Sequence, residues 1–219
     1  MAAKTKTKKI SGEDIIAIYM EYVLEHEMVP KSIYKFCKHN GIEEPSFYDN
    51  FGSISGIQKA IWNTFFSHTQ QLIEKNKDYE QFSNKDKMLT FFYSFFELLA
   101  LNRSYVLFTL HNDKNVMKNM KQLKGLRKQV KTYATGLIND GNTGKNFKFT
   151  KHNPGLFSEG AWLQLLFILK FWIDDDSPGF EKTDIAIEKS IQTVFDVFDN
   201  TPLDNIIDFG KFLFKEKLT

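Results

Sequence analysis

The chain has 219 residues, 42% of them apolar, with a net charge of +2 and a mean hydropathy of −0.36. That is enough for one sizeable core, or a small domain plus a larger one, and it excludes a polycation that holds nucleic acid by bulk charge. Five prolines and 12 glycines are few, so helix is the default, and a single cysteine, Cys37, excludes an internal disulfide.

Two further exclusions concern location. No run reaches the ~18 uninterrupted apolar residues of a membrane span. The most apolar one, residues 161–173, is interrupted by Gln164 and Lys170. The N-terminal lysines are not followed by a signal-peptide core, so a cytoplasmic protein without a membrane partner is expected. Phenylalanine is abundant at 22 residues, which suits either a Phe-rich core or an aromatic interior with room for an apolar ligand.

Residues 1–10 are polar and carry Lys4, Lys6, Lys8 and Lys9. They read as a basic arm that follows DNA phosphates, or as a solvated tail. Residues 11–26 form the first predicted helix. Ser11 with Asp14 resembles a capping box, and Ile15, Ile18, Tyr19, Tyr22 and Val23 make one apolar stripe. Residues 32–51, SIYKFCKHNGIEEPSFYDNF, then read as two short helices about a tight turn. Ser32 is a candidate N-cap, and Ile33, Phe36 and Cys37 share a face. Gly41 stops the first helix, Ile42 plugs the turn, and Pro45 suits the first turn of the second helix. Phe47, Tyr48 and Phe51 supply that second helix's inner side. This is the layout of a helix-turn-helix, in which the second helix enters the DNA major groove.

The remainder predicts longer helices and no strand. Ser55 is expected to cap a helix over 55–79 bearing Ile57, Ile61, Phe65, Thr69, Leu72 and Ile73. Residues 84–101, rich in Phe and Leu, form a helix buried on several sides, and 105–110 a short apolar one. Residues 115–139 are amphipathic, 140–154 read as an exposed loop, and 158–173 as a helix apolar nearly all round. Residues 174–179 are a turn whose Asp174–Asp176 run reads as solvated, 183–200 a helix, and Pro202 opens a last helix carrying Ile206, Ile207, Phe209, Phe212 and Leu213.

At Gly41, Ile42, Phe47, Tyr48 and Phe51 the chain resembles the N-terminal domain of the TetR family of bacterial regulators. The resemblance covers roughly residues 15–66 by motif and the remainder in length and helical character. It implies an all-α, TetR-like fold: a basic arm over 1–10, a three-helix helix-turn-helix head over 11–54, and a six- to seven-helix body over 55–219 for ligand binding and dimerisation. It also implies a transcriptional regulator that binds double-stranded DNA, at an operator expected to be palindromic, under control of a small apolar or fatty-acid-like ligand. The long helix after the head would couple pocket shape to head separation.

The residues fill these roles unevenly. Lys31, Lys35 and Lys38 lie on one helix face, where phosphates would be met, and Ser46, Tyr48 and Asn50 are the contact candidates on the second motif helix. Tyr48 matches the family's phosphate-touching tyrosine. Glu43, Glu44 and Asp49 suit the helix dipole but repel phosphate, and Ile54 stands where the family often has lysine. Seven basic residues (Lys4, Lys6, Lys8, Lys9, Lys31, Lys35, Lys38) face eight acids over residues 1–51, a net charge of −1. These departures leave an alternative: a TetR-fold lipid-binding or interaction module that has lost sequence-specific DNA binding.

TetR-like bodies enclose a pocket, for which the candidate lining is Phe92, Phe96, Arg103, Tyr105, Phe108, Met120, Trp162 and Phe167. Arg103 either reaches solvent or an acid, or anchors a ligand carboxylate. The 161–173 helix must pack twice. Trp162, Leu165, Leu166, Leu169 and Ile173 can meet the core, and Leu163, Phe167 and Phe171 a partner subunit, with Ile187, Ile191, Val194, Phe195 and Phe198 of the next long helix beside them. A homodimer follows. No cofactor, metal or catalytic residue is expected. The five histidines lack ligand spacing, and there is no phosphate-binding Gly loop and no Gly-x-Ser-x-Gly.

Overall fold

Helix-forming periodicity, with polar caps at its breaks, sets the architecture. The computed structural model describes residues 10–111, 119–143 and 153–200. Its helices in chain order are α1 (Gly12–His26), α2 (Ile33–His39), α3 (Glu44–Asn50), α4 (Ile54–Ile73), α5 (Asn84–Leu101), α6 (Arg103–His111), α7 (Lys124–Thr143), α8 (Pro154–Asp174) and α9 (Glu181–Asn200). Short 3₁₀ turns occupy Tyr79–Gln81, Lys121–Leu123 and Pro178–Phe180. No strand occurs among the described residues, so the all-α expectation holds. The lysine arm and the helix expected after Pro202 lie outside the described residues.

The boundaries differ from the sequence expectation in four places. The cap of α4 is Ser53, whose hydroxyl accepts from the Gly56 amide at 2.9 Å, so Ser55 lies inside the helix. That helix ends at Ile73 rather than continuing to residue 79. Within the described part of the amphipathic 115–139 segment, the Lys121–Leu123 turn leads into α7 at Lys124, and α7 continues to Thr143 into the expected loop. Asn153 caps α8 by accepting from the Gly155 and Leu156 amides at 3.0 and 3.2 Å, which starts the helix at Pro154, its N1 residue. The result is a 21-residue helix long and apolar enough to cross a membrane by length and composition, half of whose most apolar window is buried in the fold.

The chain forms two compact units. The first contains the described residues up to Thr69 and those within Phe95–Gln129. Its interior holds Trp62, whose indole N–H donates to Gln122 Oε1 at 3.0 Å. The Thr109 hydroxyl donates to the same oxygen at 2.7 Å, and Gln122 Nε2 donates to the Thr109 carbonyl at 3.1 Å. Buried polar groups need such partners, since each one left unpaired costs about 1–3 kcal/mol. Gly125 permits a close approach here: a Cβ on it would lie 2.2 Å from Asn63 Oδ1.

The second unit contains Gln70–Ser94 and the described residues from Val130 onward. Tyr79 and Tyr133 share a hydroxyl hydrogen bond of 2.7 Å, and the Tyr133 hydroxyl lies 2.9 Å from the Lys87 carbonyl. Phe91 packs on the Tyr133 ring and Phe157 on Phe195. Asp175, expected in a solvated turn, is buried instead. Its carboxylate accepts from the Ser177 amide and hydroxyl at 2.9 and 2.6 Å and from the Thr183 amide and hydroxyl at 2.9 and 2.6 Å, closing the turn onto the start of α9. Burial opposes the charge, but these hydrogen bonds outweigh it and lower the carboxyl from 3.8 to about 2. A depressed folded-state pKa gives stability that is complete above the unfolded value and lost as pH falls through the folded one. Asp175→Asn is therefore expected to cost about 1–2 kcal/mol near neutrality. The gap to the parent chain should close as pH falls from about 4 toward 2, measured by urea midpoints across that range.

Candidate functional site

The helix-turn-helix is built by caps outside and aromatic rings inside. Ser11 and Asp14 form the reciprocal capping box of α1: the Ser11 hydroxyl accepts from the Asp14 amide at 3.1 Å, and Asp14 Oδ2 accepts from the Ser11 amide at 3.0 Å. Ser32 caps α2 by accepting from the Lys35 amide at 3.2 Å. Gly41 takes φ 66°, where a side chain would be strained, and this lets the Ile42 amide reach back to the Cys37 carbonyl at 2.9 Å. Ile42 is buried as the plug of the turn. Tyr19, Phe36, Phe47 and Phe51 then form a chain of edge-on and tilted rings with centroid spacings of 5.9, 6.2 and 5.7 Å. Cys37 is buried beside Phe36, its thiol pushed up by burial and by the Glu44 carboxylate.

The outer side carries the charges. Lys31, Lys35 and Lys38 are exposed, as is Tyr34 (57%), over whose ring the Lys38 ammonium sits at 5.8 Å. Tyr48 is 52% exposed and edge-on to Phe47. Ser46 is half-buried, Glu43 and Asp49 are exposed, and Glu44 is half-buried. Asn50, a contact candidate on α3, is exposed and also bonded within its own helix. Its Nδ2 donates to the Ser46 carbonyl at 2.9 Å, and its Oδ1 would lie 2.9 Å from a Cβ on Gly12. The side chain is folded back between α3 and α1, because a short amide at a helix end competes for backbone groups. Lys31, Lys35, Lys38, Tyr34 and Tyr48 are thus the cationic and aromatic side chains that the head presents, with Tyr34 not anticipated from sequence. Its i,i+4 spacing with Lys38 was the available signal.

Behind the head, α1 packs on α6. Gln58 Nε2 donates to the Tyr19 hydroxyl at 3.1 Å, while burial raises that hydroxyl to about 12 against the lowering by Gln58. Tyr105 is buried on α6, where burial and the nearby Tyr19 push its hydroxyl well above the ordinary value.

The expected ligand lining draws on residues of both units. Phe96, Arg103, Tyr105, Phe108 and Met120 belong to the first unit, and Phe92, Trp162 and Phe167 to the second. Phe92, Phe96, Tyr105 and Trp162 are buried, and Arg103, Phe108 and Met120 half-buried. Phe167 is no lining residue of an interior. It stands 59% exposed on α8 beside Leu163, 64% exposed, and the partly exposed Phe171.

Leu163 and Phe167 border a shallow open groove of about 510 Å3 in the second unit, lined with them by Gly160 and Gln164 of α8 and by Ala186, Lys189, Ser190, Thr193 and Val194 of α9. Gln164 Nε2 donates to the Ser190 hydroxyl at 2.9 Å at its floor. Leu163, Phe167 and Phe171 were expected to face a partner, and they are the exposed apolar residues of α8. Ile187 and Ile191 were assigned to the same interface but are fully buried within the protomer, because their face of α9 packs on α8. Val194 and Phe195 are half-buried. The Phe198 side chain lies outside the described residues.

No curated protein matches the chain. A family profile does: residues 87–213, more than half of the chain, match the tetracyclin repressor-like C-terminal domain, which begins beyond the helix-turn-helix and includes the grooved α8–α9 pair. With an all-helical body of that type behind a capped helix-turn-helix, the chain belongs to the TetR family of regulators.

Proposed function

We propose that the protein is a homodimeric, DNA-binding transcriptional regulator whose affinity for its operator is set by a small apolar or amphipathic ligand. The observation that carries this reading is the head: a Gly41-turned helix-turn-helix with Lys31 exposed just before α2, Tyr34, Lys35 and Lys38 exposed on α2, and Tyr48 on α3. Lysines and tyrosine hydroxyls meet phosphates, which fix register and supply the salt-sensitive part of the affinity. A two-fold dimer places two heads on the half-sites of a palindrome. The ligand reading is supported by Arg103, Phe108 and Met120, half-buried in the same unit as the head. A half-buried guanidinium has the chemistry to pair with the carboxylate of an amphiphile.

The test is anisotropy of labelled DNA from upstream of the chain's own gene, titrated over a range of salt. Binding that weakens with salt is expected. Replacing Lys31, Lys35 and Lys38 with alanine should flatten the slope of log K against log salt by about 2–3 and weaken binding at least about tenfold at low salt, since each phosphate contact contributes about 0.9 to that slope. No salt-sensitive binding to any DNA would sink the reading. Native mass spectrometry and thermal shift with added fatty acids test the ligand.

Glu43 and Asp49, exposed on the face that would meet DNA, favour a second reading: a TetR-fold module that binds lipid or a partner and no longer reads sequence. Replacing Lys4, Lys6, Lys8 and Lys9 separates the two. Loss of DNA affinity supports the regulator, and an unchanged activity the module.

A further inference from the structure

Gly160 lies in the middle of α8, where glycine costs about 0.5–1 kcal/mol relative to alanine. Gly125, at the start of α7, makes room for Asn63 inside the fold, whereas a Cβ on Gly136 in the middle of α7 would meet nothing within 4 Å. Gly160 makes room for nothing: a Cβ built on it meets no atom within 4 Å. It opens instead onto the groove beside Leu163, Gln164 and Phe167. Gly160, Leu163, Phe167 and Phe171 follow one another at three- and four-residue steps, so a notch, two knobs and a further ring share one helix face.

Their order makes the face self-complementary. Gly160 and Phe167 are equidistant from the midpoint between Leu163 and Gln164. A two-fold axis passing through that midpoint, perpendicular to α8, lays a second α8 antiparallel on the first. It sets Phe167 of each copy over Gly160 of the other and brings the Leu163 side chains together at the centre. An isologous interface demands this reciprocity, in which residue i meets j and j meets i. The available area is sufficient. Helices of 21 and 20 residues are about 30 Å long and about 10 Å wide. Two of them side by side offer roughly 600 Å2 per copy and about 1,200 Å2 in total, the lower bound of a specific interface.

We propose that the Gly160 notch on α8 is the docking site for Phe167 of a second copy of this chain, a reciprocal knob-in-notch pair that fixes the register of the dimer. The proposal rests on the dimeric reading above and specifies the contact on which it depends. A larger residue at 160 fills the notch without disturbing the protomer, and a smaller one at 167 empties it. The part-buried Gln164–Ser190 pair lining the groove keeps the apolar face from sliding, since a shifted helix would cover that pair with rings.

Sedimentation equilibrium of the full chain over nanomolar to micromolar concentration tests this, with thermal melts confirming that each variant is folded. Gly160→Leu and Phe167→Ala are each expected to raise the dimer dissociation constant at least about tenfold. The double variant, with knob and notch exchanged, should return to within about threefold of the parent. A dimeric parent whose dissociation constant neither single variant changes would overturn the knob-in-notch pair while leaving the dimeric regulator standing. So would two weakened single variants whose combination is additive rather than restoring. A monomeric parent would overturn the dimeric reading itself, and the pair with it.

Discussion

Trp62→Ala is expected to destabilise the protein by about 3–5 kcal/mol, the cost of emptying a fully buried aromatic site. Gln122→Leu should cost nearly as much, about 2–4 kcal/mol, although it removes no volume. The Gln122 amide is the hub of the pocket behind α4. Its oxygen accepts from the Trp62 indole at 3.0 Å and the Thr109 hydroxyl at 2.7 Å, and its nitrogen donates to the Thr109 carbonyl at 3.1 Å. Leucine leaves the buried indole N–H without its acceptor and removes both of the bonds that Thr109 makes to this amide, and an orphaned buried group costs about 1–3 kcal/mol. Combining Gln122→Leu with Trp62→Phe removes the indole donor, and the pair should be less than additive. Urea denaturation followed by tryptophan fluorescence measures all three. A Gln122→Leu variant within about 0.5 kcal/mol of the parent would show that the amide does not hold the pocket together.

What was legible in the sequence was what depends on neighbouring residues. The Ser11–Asp14 box, the Ser32 cap, the Gly41 turn and the burial of Phe47 and Phe51 all involve partners within a few positions and stand as expected, whereas Tyr48, expected on the same inner side, turns outward. The stop of α2 needed only a residue that tolerates positive φ. The exposed stripe Leu163, Phe167 and Phe171 was also readable, since a helix apolar all round needs two neighbours.

What was not legible depended on distant partners or on choices between equivalent ones. Ser53 and Ser55 are equally good caps by type, and only the backbone shows which one faces the Gly56 amide. Asp175 looked like one of three solvated acids because its partner Thr183 lies eight residues on. Ile187 and Ile191 follow the periodicity of a buried stripe, but periodicity does not say whether α8 of the same chain or a partner covers it. Asn50 carries the right chemistry for adenine, and its bond to the Ser46 carbonyl, which takes one of its two amide hydrogens, was not readable from sequence. Gln122 sat in a lysine-rich amphipathic run and resembled a surface residue, while its two partners came from α4 and α6.

Phe47→Ala carries the other large expected effect, and it bears directly on function. Phe47 is fully buried and touches Phe36, Tyr48 and Phe51, so it joins α2 to α3 and closes the end of the motif. Removing the ring leaves a cavity that two seven-residue helices cannot close by shifting, a loss of about 3–5 kcal/mol. Isolated helices of that length do not persist in water, so their order comes from this packing. The loss should therefore appear as local opening of the head before global unfolding. Hydrogen exchange is expected to show lost protection in α2 and α3 at denaturant concentrations that leave α8 and α9 protected. Under the proposed function, DNA affinity should fall with it, even though Phe47 itself is fully buried. Phe47→Leu, which keeps most of the volume, should retain protection in both helices and most of the binding. If Phe47→Ala left α3 as protected as in the parent, the ring chain from Tyr19 to Phe51 would not be what positions the second helix. The order of that helix would then have to come from its Glu43 and Pro45 start alone.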